Sequence, residues 1–274
     1  RLSAVFLMIL TAVSFVLLPK LPALHTWEVE AREERIAEEE FAQSQVTMQN
    51  LKIKEQNEAA GAKGELSIRL PEGVTGDQIA VSNDYVTQTI RVEIPQADRT
   101  YFDSYPVLGK SDYIDGLSYT RQGEMGVIEV TTNKVYELQT EYDAQNFYFN
   151  FLTPHEVYDK VVVIDAGHGG RAVGANKQGI NEKDIDLAIV LKLKEIFDNS
   201  DQNIGVYYTR TDDSNPTFDQ RVQLANKSDA DLFISIHNNS TRSGRMSGTS
   251  GTQVMYDETS EASRQFAQIC LEEV

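Results

Sequence analysis

The sequence predicts a mixed, mostly parallel twisted α/β sheet flanked by helices over its last stretch. A small β-rich domain precedes it, and an apolar membrane helix opens the chain. Three observations carry that prediction. Strand-like and helix-like patterns alternate from Val161 onward, as an α/β layer requires. Short runs alternating polar and apolar residues fill Leu66 to Phe151, as in sheets with one wet face. Leu2 to Leu18 is almost unbroken apolar sequence. At 274 residues and 41% apolar content, the chain is long enough for one large or two modest domains, and two domains plus a tail is the first reading.

The first element, Leu2 to Leu18, has only Ser3, Thr11 and Ser14 as polar members and falls at the short end of what spans a bilayer. Pro19-Lys20-Leu21-Pro22 follows without a small-residue cleavage site, so an uncleaved signal anchor over residues 1–20 is the first reading, ahead of a cleaved signal or a buried core helix. Arg1 ahead of the span favours an amino terminus in the cytoplasm, with Lys20 weighing the other way. The bulk of the chain is then expected outside the cytoplasm, held to the cell membrane by a single pass. Arg1 is not a methionine, which reads as a chain with residues before it.

Residues 21–62 read as a helical acidic stalk. Glu28, Glu30, Glu33, Glu34, Glu38, Glu39 and Glu40 mix with Arg32 and Arg35, and neither glycine nor proline occurs between Trp27 and Ala60. Ile36, Phe41, Val46, Met48, Leu51 and Ile53 hold no clean heptad, so a solvated stalk is preferred over a coiled-coil dimerisation segment.

Gly61 and Gly64 mark a boundary, after which the period changes to two. Leu66, Ile68 and Leu70 alternate with Ser67 and Arg69, and Ile90, Val92 and Ile94 with Arg91 and Glu93. Further runs at Gly126–Val130 and Phe147–Phe151, with turn signals such as Asp115-Gly116 and Gln122-Gly123 lying between the earlier runs and these, predict an antiparallel β domain over residues 63–155. Its tyrosines and phenylalanines read as core and cross-strand packing ahead of sugar stacking.

From residue 158 the α/β pattern begins. Val161 opens a strand; Ile185, Ile189, Leu193 and Ile196 mark a helix packed on the sheet; Ile204–Thr209 is the next strand and Phe218–Lys227 the next helix. Leu232–Ile236 and Thr252–Tyr256 read as strands, the first of them buried on both faces. Ser240–Gly251 reads as a flexible loop, and Phe266, Ile269 and Cys270 as a last helix. Cys270 is the only cysteine, which excludes an internal disulfide and fits a small core residue better than a nucleophile.

Two of the four histidines, His168 and His237, fall where buried strands end. In open parallel sheets the crevice beyond the carboxyl ends of the strands is where ligands bind, so imidazoles from two strands can converge there. Glu182, at the start of the intervening helix, can add a third donor. Two histidines and a glutamate make the ligand set of a catalytic Zn²⁺ with a fourth position open. Asp165 and Asn239 are candidates for hydrogen bonds to the far ring nitrogens, or for closing turns. Arg210 and Arg221 read as structural charges; His25 and His155 carry no assignment. The formal charge of −17 argues against nucleic acid as a partner.

Asp165-x-Gly167-His168-Gly169-Gly170, Glu182-Lys183-Asp184, Tyr208-Thr209-Arg210-x-x-Asp213, Arg221-x-x-x-Ala225-Asn226 and Ala230-Asp231-Leu232-Phe233-Ile234-Ser235-Ile236-His237-x-Asn239 together resemble the zinc-dependent N-acetylmuramoyl-L-alanine amidases. The resemblance covers about Val161 to the chain end. It implies a Zn²⁺ enzyme that cuts the amide between muramic acid and L-alanine in peptidoglycan. The β domain, by its position, resembles the AMIN module of some of these amidases. The family's general-base glutamate lies in a Val-Glu-x-Gly-Phe motif, which is expected beyond Val274; Glu272 and Glu273 lack its flanks, so the catalytic base is unassigned. Loss of a positioned base costs ~10²–10⁴ in rate, so the chain as given is expected to be nearly inactive. Asn238 stands where the family has a small residue. The alternatives are a peptidoglycan-binding or regulatory protein without turnover, and a zinc peptidase acting on another wall amide.

Overall fold

The computed structural model describes residues 22–44, 48–55, 63–240, 248 and 251–273. The expected anchor over residues 1–20 lies outside the described residues, among which no helix is long and apolar enough to cross a membrane. The chain divides into a large unit up to Asn238 and a small one from Asn239.

Helix α1 (Pro22–Ser44) occupies the glutamate-rich stretch. It departs from the expected stalk in two ways. It stops at Ser44, and two short strands follow, β1 (Gln49–Asn50) and β2 (Lys54–Glu55). It is also docked: Ala37 is buried, and Glu39 and Glu40 pair with Arg171 of the α/β domain. A helix held by charge pairs around one small residue shows no continuous apolar stripe, so periodicity alone makes it look solvated.

The β domain is built from β3 (Leu66–Arg69), β4 (Ala80–Asp84), β5 (Thr89–Pro95), a short α2 (Arg99–Ser104), β6 (Leu108–Gly109), β7 (Ile114–Gln122), β8 (Met125–Thr132), β9 (Glu137–Tyr142) and β10 (Asn146–Leu152). Two five-stranded sheets form, in the orders β1-β7-β8-β5-β4 and β2-β6-β3-β10-β9. Neighbours run antiparallel except β2 beside β6. The domain therefore begins before residue 63. The strands β1 and β2 carry polar residues and join by backbone register alone, Gln49 against Tyr119 and Lys54 against Leu108, which side-chain patterning does not reveal. Ile90, Val92 and Ile94 from one sheet and Leu66, Ile68 and Phe149 from the other share one core.

After α3 (Pro154–Val157), the α/β domain runs β11 (Lys160–Ala166), the hairpin β12 (Asn176–Lys177) and β13 (Ile180–Asn181), α4 (Glu182–Asp198), β14 (Ile204–Tyr208), α5 (Phe218–Lys227) and β15 (Leu232–Ile236). The three-stranded sheet has the order β14-β11-β15 and both pairings are parallel. Central β11 buries Val161, Val163, Ile164 and Ala166. By contrast β15 is only half covered, with Phe233 exposed, although its continuous apolar run predicts burial on both faces. The face of α4 also differs from expectation: Glu182, Asp186 and Val190 are buried and Leu193 and Phe197 pack on the sheet, while Ile185, Ile189 and Ile196 are exposed. Aiming Glu182 inward fixes the helix's rotation, and at 100° per residue the isoleucine stripe then falls roughly a quarter turn away.

The two domains share a boundary. Val135 of the β domain packs with Val161, Val163, Tyr207 and Leu224, and the rings of Tyr85 and Tyr207 meet edge to face at 4.9 Å. Both hydroxyls donate to Glu137, Tyr207 at 2.6 Å and Tyr85 at 2.9 Å. Burial, with Glu137 alongside, raises both phenol pKa values, so the rings stay neutral. Glu137→Ala strips two part-buried donors of their acceptor and is expected to lower stability by ~1–3 kcal/mol in urea unfolding.

The described residues of the small unit include a turn at Asp257 and α6 (Glu261–Glu272), whose N-cap Ser260 accepts from the Ser263 amide at 3.2 Å. Thr252–Tyr256, expected as a strand, has no ladder partner among the described residues, and Met255 is 92% exposed. Alternation in a pentapeptide makes a strand only where a neighbouring edge takes its backbone groups.

Candidate metal centre

The parallel register explains how two distant histidines meet. Ala166, the last residue of β11, lies opposite Ile236, the last of β15, so both strands end at the same level and His168 and His237 emerge side by side. The chain leaves β11 through left-handed conformations at His168 (φ 59°) and Gly170 (φ 51°), so the backbone departs from the extended strand at the histidine itself. Gly167 has to be glycine here, because a Cβ would lie 2.3 Å from His237 Cε1. Gly167→Ala is expected to push His237 out of place and to reduce bound zinc well below one per chain, measured by atomic absorption after dialysis.

Around this turn two buried arginines spend their donors on backbone. Arg210 donates to the carbonyls of Ala166 (3.0 Å), Gly167 (2.7 Å) and Lys183 (2.9 Å). Arg221 donates to the carbonyls of Ala166 (2.7 Å) and His168 (2.8 Å) and to Asp165. Asp165 is therefore not the partner of a histidine ring, as one reading of the sequence had it. Its carboxylate accepts from Thr209 Oγ1 and Ser235 Oγ, each at 2.6 Å, and from Arg221. Burial opposes its charge, but Arg221 and the two hydroxyls outweigh burial and hold the carboxyl below the usual range. Asn239 belongs to the small unit, where its amide donates to Gln253 at 2.8 Å.

Glu182, the first residue of α4, is the hub. Its Oε1 lies 3.1 Å from His168 Nε2 and 3.2 Å from His237 Nδ1, and those two nitrogens are 3.2 Å apart. Its carboxylate also accepts from the amides of Ala175 (2.7 Å) and Asn238 (2.8 Å), which fixes its direction. Burial raises its pKa, yet the two imidazoles and the Ala175 amide bring it far below the ordinary glutamate value. His168 is the counterpart: burial lowers its pKa, but Glu182 and Glu33 raise it to about 9.

Two further carboxylates stand close. Asp186, one turn after Glu182, lies with the other three in a group whose ligand atoms are all within 4.8 Å of one another. Its Oδ1 accepts from Asn238 Nδ2 at 2.7 Å, while its Oδ2 is buried with no partner, and burial pushes its pKa up to about 6. The spacing Glu182-x-x-x-Asp186 puts both on one helix face, a signal the sequence offered. Glu33 of α1 approaches the far side of His168, with Oε2 3.0 Å from Nδ1.

Three lone-pair donors of two imidazoles and one carboxylate, drawn to 3.1–3.2 Å of one another and backed by an unpartnered buried carboxylate oxygen, are what a divalent cation needs. The residues thus fit the zinc that the resemblance implies. The His237 side chain is 46% exposed, against 11% for His168 and 8% for Glu182, so the group opens to solvent on the His237 side.

Part of the chain is similar in sequence to known proteins. An endolysin of Bacillus phage SPP1 is 45% identical over 86 residues, 31% of this chain and 31% of its own length. The N-acetylmuramoyl-L-alanine amidase CwlM of Bacillus licheniformis is 41% identical over 78 residues, 28% of this chain and 31% of its own. Among solved structures, the CwlD amidase of Clostridioides difficile is 35% identical, with 42% of this chain and 64% of that one covered and a TM-score of 0.34. The chain spans about a third of the length of the first two relatives. Residues 162–274, the stretch holding His168, Glu182, Asp186 and His237, match the family model described as N-acetylmuramoyl-L-alanine amidase.

Proposed function

We propose that the protein hydrolyses the amide bond between N-acetylmuramoyl and L-alanine in peptidoglycan, as a Zn²⁺ enzyme that remodels the cell wall. The observation that carries this reading is the convergence of His168 Nε2, Glu182 Oε1 and His237 Nδ1 inside the region that matches the amidase family. These three side chains would hold the metal. Zinc supplies a Lewis acid and lowers the pKa of bound water toward neutrality. The chain's own contribution is positional. Arg210 and Arg221 pin the carbonyls flanking His168, the amides of Ala175 and Asn238 orient Glu182, and the exposed His237 edge leaves room for a bulky glycopeptide. Residues 1–20 would anchor the protein in the cell membrane with the catalytic region on the wall side, and the β domain between them resembles a wall-targeting module.

Purified muropeptides test the reading. Prolonged digestion at high protein concentration, which allows for a rate ~10²–10⁴ below that of an amidase with a positioned base, should release stem peptide with a free L-alanine amino terminus and glycan ending in an intact lactyl group, identified by mass. Products cut inside the stem peptide would assign the site to a peptidase instead.

A further inference from the structure

We propose that Glu33, on helix α1, is the carboxylate partner that orients His168, so that metal affinity in the α/β domain depends on a helix lying far outside it in sequence. The inference rests on the zinc reading above. A ligating imidazole presents one nitrogen to the metal and gives the N–H of the other to an acceptor, commonly a carboxylate, which fixes its tautomer and ring angle. Here Nε2 of His168 joins the donor group at 3.1 Å from Glu182. Nδ1 faces away from it and has Glu33 Oε2 at 3.0 Å, approached obliquely, with no hydrogen-bond partner among the described residues. Both side chains are shielded, 11% and 17% exposed.

Helix α1 is anchored beside that contact and further along toward its C-terminal end. Glu40 accepts from the Arg171 amide and Nε, each at 3.0 Å, and from Asn215 Nδ2 at 3.0 Å. Glu34 accepts from the Phe218 amide at 2.6 Å, at the start of α5. Glu33, Ala37 and Glu40 recur at spacings of four and three on one helix face, which lays Ala37 into the contact and points Glu33 at His168. Even Gly170 is shaped by the helix, since a Cβ there would lie 2.6 Å from Glu40 Oε2. The arrangement supports a ligand from behind; it does not plug the centre, because the His237 side chain remains 46% exposed.

Competition titration of the full chain against a chromophoric zinc chelator tests this. Glu33→Gln keeps the size of the side chain and removes its charge, and should weaken zinc binding by ~10–100-fold. Glu33→Asp, which keeps the carboxylate, should recover part of that loss. Glu40→Gln loosens the helix without touching His168 and should cost less than Glu33→Gln. Zinc affinity of Glu33→Gln within about twofold of the parent, or higher than the parent, overturns the inference. So does an equal loss in Glu40→Gln, which would assign the effect to docking alone. A parent chain that binds no zinc overturns the metal reading as well; a parent that binds it, with Glu33→Gln unchanged, overturns this inference only.

Discussion

Replacing Arg221 with alanine is expected to destabilise the protein by ~3–5 kcal/mol, the range for removing one member of a buried ion pair. The pair it breaks is closed off from water: Arg221 and Asp165 are both buried, and Asp165 has Thr209 and Ser235 as its other partners. Without the guanidinium, a buried carboxylate keeps two hydroxyl donors and loses its only countercharge among its partners in the structure. The carbonyls of Ala166, His168 and Pro216 lose donors at the same time. Urea unfolding followed by circular dichroism measures the loss, and a change under about 1 kcal/mol would show that the pair is not worth its desolvation. Asp165→Asn gives the pH dependence. The folded pKa of Asp165 is lowered, so its charge contributes stability above the unfolded value of about 3.9 and loses that contribution as the pH falls through the lower folded value. The stability gap between parent and variant should thus be widest near neutral pH and close progressively below about pH 4.

The same residues show what was legible in the sequence. The ends of β11 and β15 could be located because each is an apolar run halted by a histidine, and parallel pairing then brings the two rings together without further information. Glu182 was legible from its place at a helix start. Asp165 reads from the sequence as either a partner of a histidine ring or a residue that closes a turn; standing three residues before His168, at the buried end of β11, its carboxylate faces Thr209 and Ser235. Asp186 and Glu33 were missed for different reasons. Asp186 follows from its spacing of four to Glu182, but the more conspicuous isoleucines of α4 draw the reading to another face of the helix. Glu33 needed the docking of α1, which rests on Glu34, Glu39, Glu40 and the small side chain of Ala37, none of which gives a hydrophobic signal.

Glu182→Gln is expected to abolish stoichiometric zinc, and to do so more completely than any other single isosteric change in the group. The reason is charge: Glu182 is the carboxylate whose pKa is lowered by contact with both imidazoles, so it is the anion already in place to neutralise a divalent cation. Asp186 is the contrasting case. Burial raises its pKa to about 6, and one oxygen is already committed to the Asn238 amide, so Asp186→Asn should retain most of the metal. Glutamine also cannot accept from the amides of both Ala175 and Asn238 as the carboxylate does, since one of its terminal atoms is a donor. One backbone N–H is then left facing another donor, at a cost of ~1–3 kcal/mol, and the Asn238 amide, next to His237, loosens with it. Metal per chain after dialysis, read by atomic absorption beside an unfolding curve for each variant, separates the two effects. Equal zinc loss in Glu182→Gln and Asp186→Asn would mean that Asp186 supplies a ligand of the same rank; full zinc in Glu182→Gln would remove Glu182 from the ligand set.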